Sequence, residues 1–151
     1  MPLLRLLFNN FHTADIIEKA GYIQYEVSNF ARNLELKSRH NQKYWNHTPY
    51  LGLGPSAHSF RERRRWWNHR SLSGYIKDPE QGKPPVASSE TLTDEQLQLE
   101  SLFLGLRTKK GVCLKDYELR FEHDLLSEKN TTISTLVQKG LIEIKEGRLR
   151  R

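Results

Sequence analysis

The stretch Thr13-Ala-Asp-Ile-Ile-Glu-Lys-Ala-Gly-Tyr-Ile-Gln-Tyr-Glu-Val27 changes its period partway along. Up to Ala20 the apolar residues Ile16, Ile17 and Ala20 share one side of a helix. Gly21 supplies the left-handed residue on which helices commonly end. Tyr22–Val27 then turns β-branched and aromatic, the composition of a strand. Farther on, Ser28–Asn33 reads as a loop, His40–Trp45 as one or two helical turns and Tyr50–Leu53 as a short apolar strand. Gly54-Pro55-Ser56 reads as a loop, His58–Trp67 as a hairpin and Ser71–Lys77 as a short helix. Helix, strand, helical turn and strand is the rhythm of an α/β unit, so the expected fold class is α/β.

The chain changes character at Asp78–Ser89, which holds three of the six prolines and no aromatic residue. That composition predicts a linker over residues 81–91. Beyond it, Leu92-Thr-Asp-Glu-Gln-Leu97 is a complete helix start. Thr93 and Gln96 form a capping box, and Leu92 and Leu97 form a hydrophobic staple. Leu99, Leu102, Phe103 and Leu106 continue that helix with apolar spacing. Further helices are expected over Leu114–Phe121 and Thr131–Lys139, the latter with Ile133, Leu136 and Val137 on one face. A β-hairpin turning at Glu146-Gly147 follows. Helices plus a terminal hairpin suggest a winged-helix-like α+β domain over residues 92–151, after a first part over residues 1–80. The return strand ends at Arg151 with little to pair it, which suggests a C-terminal truncation.

Composition narrows the function classes. The chain has 151 residues, and 24 Lys and Arg against 18 Asp and Glu leave a net charge of +6. Mean hydropathy is −0.72, polar for a compact domain, but an aromatic share of 10% argues against simple disorder. One cysteine, Cys113, excludes an internal disulfide, a four-cysteine zinc site and an iron–sulfur cluster held by three or four thiolates. No apolar run reaches the roughly 18 residues of a membrane span. The opening Met1–Phe8 is apolar, but Arg5 interrupts it and it lacks a small-residue cleavage site, so it does not read as a signal peptide. The default location is cytoplasmic.

Four stretches could carry chemistry. In Leu51-Gly-Leu-Gly-Pro-Ser-Ala-His58 a glycine-rich turn could expose backbone N–H groups to a ligand, or serve as a tight loop with none. In Arg39-His-Asn-Gln-Lys-Tyr-Trp45, helical spacing puts His40 and Tyr44 on one face. Imidazole and phenolate both ligate iron, and an indole can cover a flat macrocycle. The competing reading is an aromatic cluster that anchors a loop. Arg61–Arg70 sets five arginines against one glutamate, beside two tryptophans. This suits phosphate contact with base stacking, or a solvated hairpin whose arginines lie over the indoles. The second reading is preferred, because the helix at 131–139 has no arginine for guanine contacts. Finally, Glu26, Ser28 and Asn29 follow a strand, at the end where α/β barrels place their active sites. They could equally satisfy the adjoining loop.

Three of these motifs in order resemble one family: Ala20–Arg32, Ser38–Trp45 and Tyr50–Ser59 are similar to the HemW-like radical-SAM proteins, relatives of oxygen-independent coproporphyrinogen III oxidase. The resemblance implies the C-terminal part of a partial (β/α) barrel followed by that family's small C-terminal domain. It implies haem binding at His40, Asn41, Tyr44 and Trp45, with His40 as the metal ligand. It implies that Gly52, Gly54, Ser56, Ala57, Glu26 and Asn29 border S-adenosylmethionine beside a [4Fe–4S] cluster. The cluster's C-x3-C-x2-C motif is absent from this chain, so the resemblance implies a missing N-terminal half and no catalytic residue here. The implied partners are haem and a haem-acceptor protein. The alternatives are an oxygen-independent coproporphyrinogen III oxidase and a winged-helix nucleic-acid binder. The arginine run at 61–65 departs from the family pattern.

Overall fold

The computed structural model describes residues 12–151. The opening segment Met1–Phe8 lies outside them. Helix α1 covers residues 12–19. Gly21 ends it at φ +85°, and its N–H donates to the Glu18 carbonyl. The strand expected next is β1 (Ile23–Glu26). The expected loop after it instead contains β2 (Asn29–Ala31), which folds back antiparallel with Ile23 opposite Ala31. Its short run Asn-Phe-Ala carries no strand signal of its own, and the ladder to β1 supplies its main-chain partners. A 3₁₀ turn at Leu34–Leu36 is capped by the Asn33 side chain. Helix α2 (Arg39–Trp45) follows, with Ser38 Oγ accepting from the Asn41 N–H as an N-cap does.

The chain divides into two compact units. One comprises the described residues up to Gln42 together with Leu102–Arg151, and the other is Lys43–Ser101.

The second unit is organised by the antiparallel sheet β3 (His58–Arg61), β4 (Arg64–Asn68) and β5 (Val86–Thr91). The hairpin expected at 58–67 is present. The linker expected over 81–91 is largely β5, whose ladder on β4 pairs Trp66 with Ser89 and Trp67 with Ser88. Pro84 and Pro85, which cannot donate to a ladder, stop just short of the strand. Tyr50–Leu53 is not a strand: only Tyr50 bridges to Phe60, and Leu51 and Leu53 are 70% and 80% exposed. Helix α3 (Leu72–Glu80) starts on a Ser71 side-chain cap.

Helix α4 (Asp94–Arg107) begins with the expected capping box. The Thr93 N–H donates to Gln96 Oε1 and the Gln96 N–H donates to Thr93 Oγ1. Leu92 and Leu97 are both buried. Leu99 and Phe103, expected to face a core, are largely exposed, because helical spacing marks more apolar positions than one buried stripe accommodates. In the first unit β6 (Val112–Cys113), α5 (Leu114–Phe121), α6 (Leu125–Glu128), α7 (Asn130–Gln138), β7 (Glu143–Lys145) and β8 (Arg148–Arg150) follow. Val112, Tyr117, Leu125, Ile133 and Leu149 form their core. Val137, expected on the core face, is exposed. The return strand has partners on both sides, contrary to expectation: β8 lies between β6 and β7, with Val112 opposite Leu149. Helices mixed with sheets bear out the α/β class, and every strand pairing among the described residues is antiparallel.

Candidate functional site: an exposed histidine helix and a closed glycine loop

Helix α2 carries His40, Asn41, Tyr44 and Trp45 on one continuous element. Arg39, His40 and Lys43 are exposed, whereas Asn41, Gln42, Tyr44 and Trp45 are half-buried. The helix holds no acidic residue. Tyr44 meets Tyr50 edge-on, with ring centroids 4.6 Å apart. An imidazole and a phenol one helical turn apart are both groups that can ligate iron. Among the described residues no group of three or more His, Cys, Asp or Glu side chains could hold a bare metal ion.

Below this helix end lies a charged network. His47 follows at φ +50°, a left-handed residue past the helix end. Its Nε2 is 3.2 Å from Glu100 Oε2, and its ring is 5.7 Å from that of Phe60. Arg65 NH2 donates to both oxygens of Glu100, at 2.6 and 2.8 Å, and NH1 reaches Glu90 at 3.3 Å. Burial by itself would raise the Glu100 pKa. The Arg65 hydrogen bonds and charge, and then His47, outweigh it and hold Glu100 below its ordinary value. Burial pushes the neighbouring Tyr50 phenol up.

The loop Gly52–Ala57 is closed on itself. The Gly52 N–H donates to Ser59 Oγ at 3.0 Å and the Gly54 N–H donates to the Tyr75 hydroxyl at 3.1 Å. The Ser56 N–H donates to the His69 carbonyl and the Ala57 N–H donates to the Gly54 carbonyl. Asn68 Nδ2 holds the Gly52 and Gly54 carbonyls. A Cβ at residue 52 would lie 2.1 Å from the His58 carbonyl oxygen, which restricts this position to glycine. Ser59 is fully buried and Asn68 nearly so.

Glu26 is equally engaged. Its side chain is fully buried, and Arg107 donates to Oε1 through Nε at 2.9 Å and through NH2. The Ser28 N–H and Asn29 Nδ2 donate to Oε2. Burial would raise the Glu26 pKa, but Asn29, Ser28 and then Arg107 outweigh it and leave it lowered. The structure therefore brings Glu26 and Asn29 together, around an arginine rather than around an open cavity. The arginine run is mostly paired: Arg63 with Asp94, Arg65 with Glu90 and Glu100, Arg61 with Glu62. Arg64 lies over the Trp66 ring.

Sequence reasoning missed Arg107, Asn68, Tyr75, His47 and Glu100. Arg107 is 81 positions from Glu26, and no local pattern joins them. Arg65 was visible only as one of a run.

Residues 92–150 match the HemN C-terminal domain. The heme chaperone HemW of Bacillus subtilis is 35% identical over 86% of this chain. The heme chaperone HemW of Synechocystis is 38% identical over 67% of it. The solved structure of Escherichia coli coproporphyrinogen III oxidase (HemN), described as a radical SAM enzyme, superposes over 92% of this chain with a TM-score of 0.69 at 17% identity. That likeness concerns the fold. Residues 92–150 are thus a domain of the HemN C-terminal type, and the chain is a homologue of the HemW heme chaperones. It covers 34% of the Bacillus subtilis relative and 35% of the Escherichia coli structure, about a third of each.

The residues present do not fit an iron–sulfur cluster. Cys113, the sole cysteine, is half-buried and opens α5. For S-adenosylmethionine, the N–H groups of Gly52, Gly54, Ser56 and Ala57 are already engaged. No helix among the described residues is long and apolar enough to cross a membrane.

Proposed function

We propose that this chain binds haem through helix α2 and passes it to an acceptor protein, the role that the name heme chaperone gives its HemW relatives. The observation that carries this reading is the exposed His40 imidazole in the first turn of α2, with Tyr44 one turn on. In this reading His40 would ligate the haem iron. Tyr44, held edge-on by Tyr50, and Trp45 offer aromatic surface to the macrocycle. Asn41, beside His40 on the same helix, is placed in the same site. A ligand held at the surface by one imidazole is accessible to a second protein, as a cargo must be. Glu26, Asn29 and the Gly52–Ala57 loop act as structural ties, consistent with their filled hydrogen bonds. The paired arginines at 61–65 leave little free positive surface for nucleic acid.

Titrating hemin into the wild-type chain and into His40→Ala, with the Soret band as readout, tests the reading. The wild type should bind, and the variant should lose at least about tenfold in affinity, as ligand-shell losses typically do. Equal binding by both, with equal circular dichroism, would overturn the assignment.

A further inference from the structure

At about 100° per residue, Arg39, Lys43 and His40 follow one another round the exposed side of α2 over roughly 100°, with the half-buried Tyr44 next at roughly 140°. The imidazole thus has two cations on one side and a phenol on the other. The cations differ from those at 61–65. Arg61, Arg63 and Arg65 have acidic partners, whereas among the described residues neither Arg39 nor Lys43 makes an ion pair. Both side chains lie exposed, on a helix without a carboxylate.

Helix electrostatics do not account for the pair. Lys43 stands in the last turn, where a cation is favourable, but Arg39 is the first residue, where the helix dipole disfavours positive charge. Arg39 is therefore a small local liability, and a carboxylate ligand would offset it. Guanidinium groups take carboxylates in bidentate fashion, and ammonium groups take them as a point charge.

From this placement we infer that Arg39 and Lys43 bind the carboxylate side chains of the porphyrin, so that α2 selects a carboxylate-bearing haem over an uncharged one. The inference rests on the haem reading above and adds a ligand specificity to it. His40 takes the iron, and the cations fix the edge of the ring that carries the acids. The ligand class is a metalloporphyrin with free acid groups.

The test compares hemin with hemin dimethyl ester, which keeps the iron and ring but lacks both negative charges. On the wild-type chain the ester should bind about tenfold more weakly, the scale of one charge-assisted contact. Arg39→Gln with Lys43→Gln should lose about tenfold for hemin and nothing for the ester, the same charge-assisted contact being absent. Arg39→Lys with Lys43→Arg should keep the preference for hemin. Added salt should weaken hemin binding more than ester binding, because exposed charges are screened. Equal affinity of the wild type for hemin and its ester would overturn the inference and leave the His40 reading intact. So would an undiminished preference in the double Gln variant. Failure of the wild type to bind either compound would overturn both.

Discussion

Helix α2 and the loop Gly52–Ala57 are close neighbours in sequence, and they use their polar groups in opposite ways. In the loop the N–H groups of Gly52, Gly54, Ser56 and Ala57 and the carbonyls of Gly52 and Gly54 all have internal partners. On α2 the charged and titratable groups of Arg39, His40 and Lys43 lie exposed. Both stretches suggest a ligand site by composition. Only α2 sets charged side chains, those of Arg39 and Lys43, at the exposed surface. A glycine-rich turn exposes N–H groups only if no side chain from elsewhere reaches them, and here Ser59 and Tyr75 do. An inward group should therefore matter for stability, and an outward one for binding.

The largest effect is expected at Glu26, the most fully engaged side chain. Glu26→Ala leaves Arg107, the Ser28 N–H and Asn29 without their acceptor. Breaking a buried ion pair costs about 3–5 kcal/mol, and the lower end applies because Arg107 keeps access to water. Urea unfolding at neutral pH measures it, and a loss of less than about 1 kcal/mol, an ordinary surface-like change, would break the comparison. The pH dependence has a definite sign. The folded carboxyl titrates below its ordinary value of 4.5. Its stabilisation is thus complete above the unfolded value and is lost as pH falls through the folded one. Glu100 contributes in the same direction. Glu26→Ala should flatten the acid side of the stability curve, and an unchanged acid slope would show that the pair is not coupled to folding.

What could be read from sequence divides along the same line. The start of α4 was legible residue by residue, because a capping box is local: Thr93 and Gln96 are three positions apart. So were the stop at Gly21 and the turn at Glu146-Gly147. The strand β5 was hidden, because a proline-rich stretch carries no strand signal and β4 imposes its ladder. The central place of β8 was hidden too, since β6 has only Val112 and Cys113 to announce it. On α2, the shared helix of His40 and Tyr44 could be read from spacing alone. The partners of Glu26 and of the glycine loop could not, because they come from Arg107, Asn68 and Tyr75.

The middle effect belongs to the loop. Asn68→Ala removes the donor that holds the Gly52 and Gly54 carbonyls, at 3.2 and 3.0 Å. The Gly54 carbonyl keeps the Ala57 N–H, so the change falls on the carbonyl of the half-buried Gly52. An unsatisfied acceptor costs about 1–3 kcal/mol, and a loss near the lower end, about 1 kcal/mol, is expected in urea unfolding. A loss within about 0.5 kcal/mol, the range of an ordinary surface change, would mean that the loop does not depend on this side chain. Its backbone would then be open to other partners after all.

The smallest effect on stability, and the sharpest contrast, is expected at Arg39. Arg39→Gln removes an exposed cation from the first residue of α2, where the dipole is unfavourable to it. Glutamine is about as good a helix former, so propensity changes little. Stability should shift by less than about 0.5 kcal/mol, toward a gain rather than a loss. Thermal or urea unfolding of the single variant reads this directly. A destabilisation above about 1 kcal/mol would exceed a surface change and show that Arg39 has a structural partner. In that case α2 would be tied inward like the loop. A neutral or stabilising result leaves Arg39 without a folding role, which is the condition under which a loss of hemin affinity in the same variant reports on the ligand.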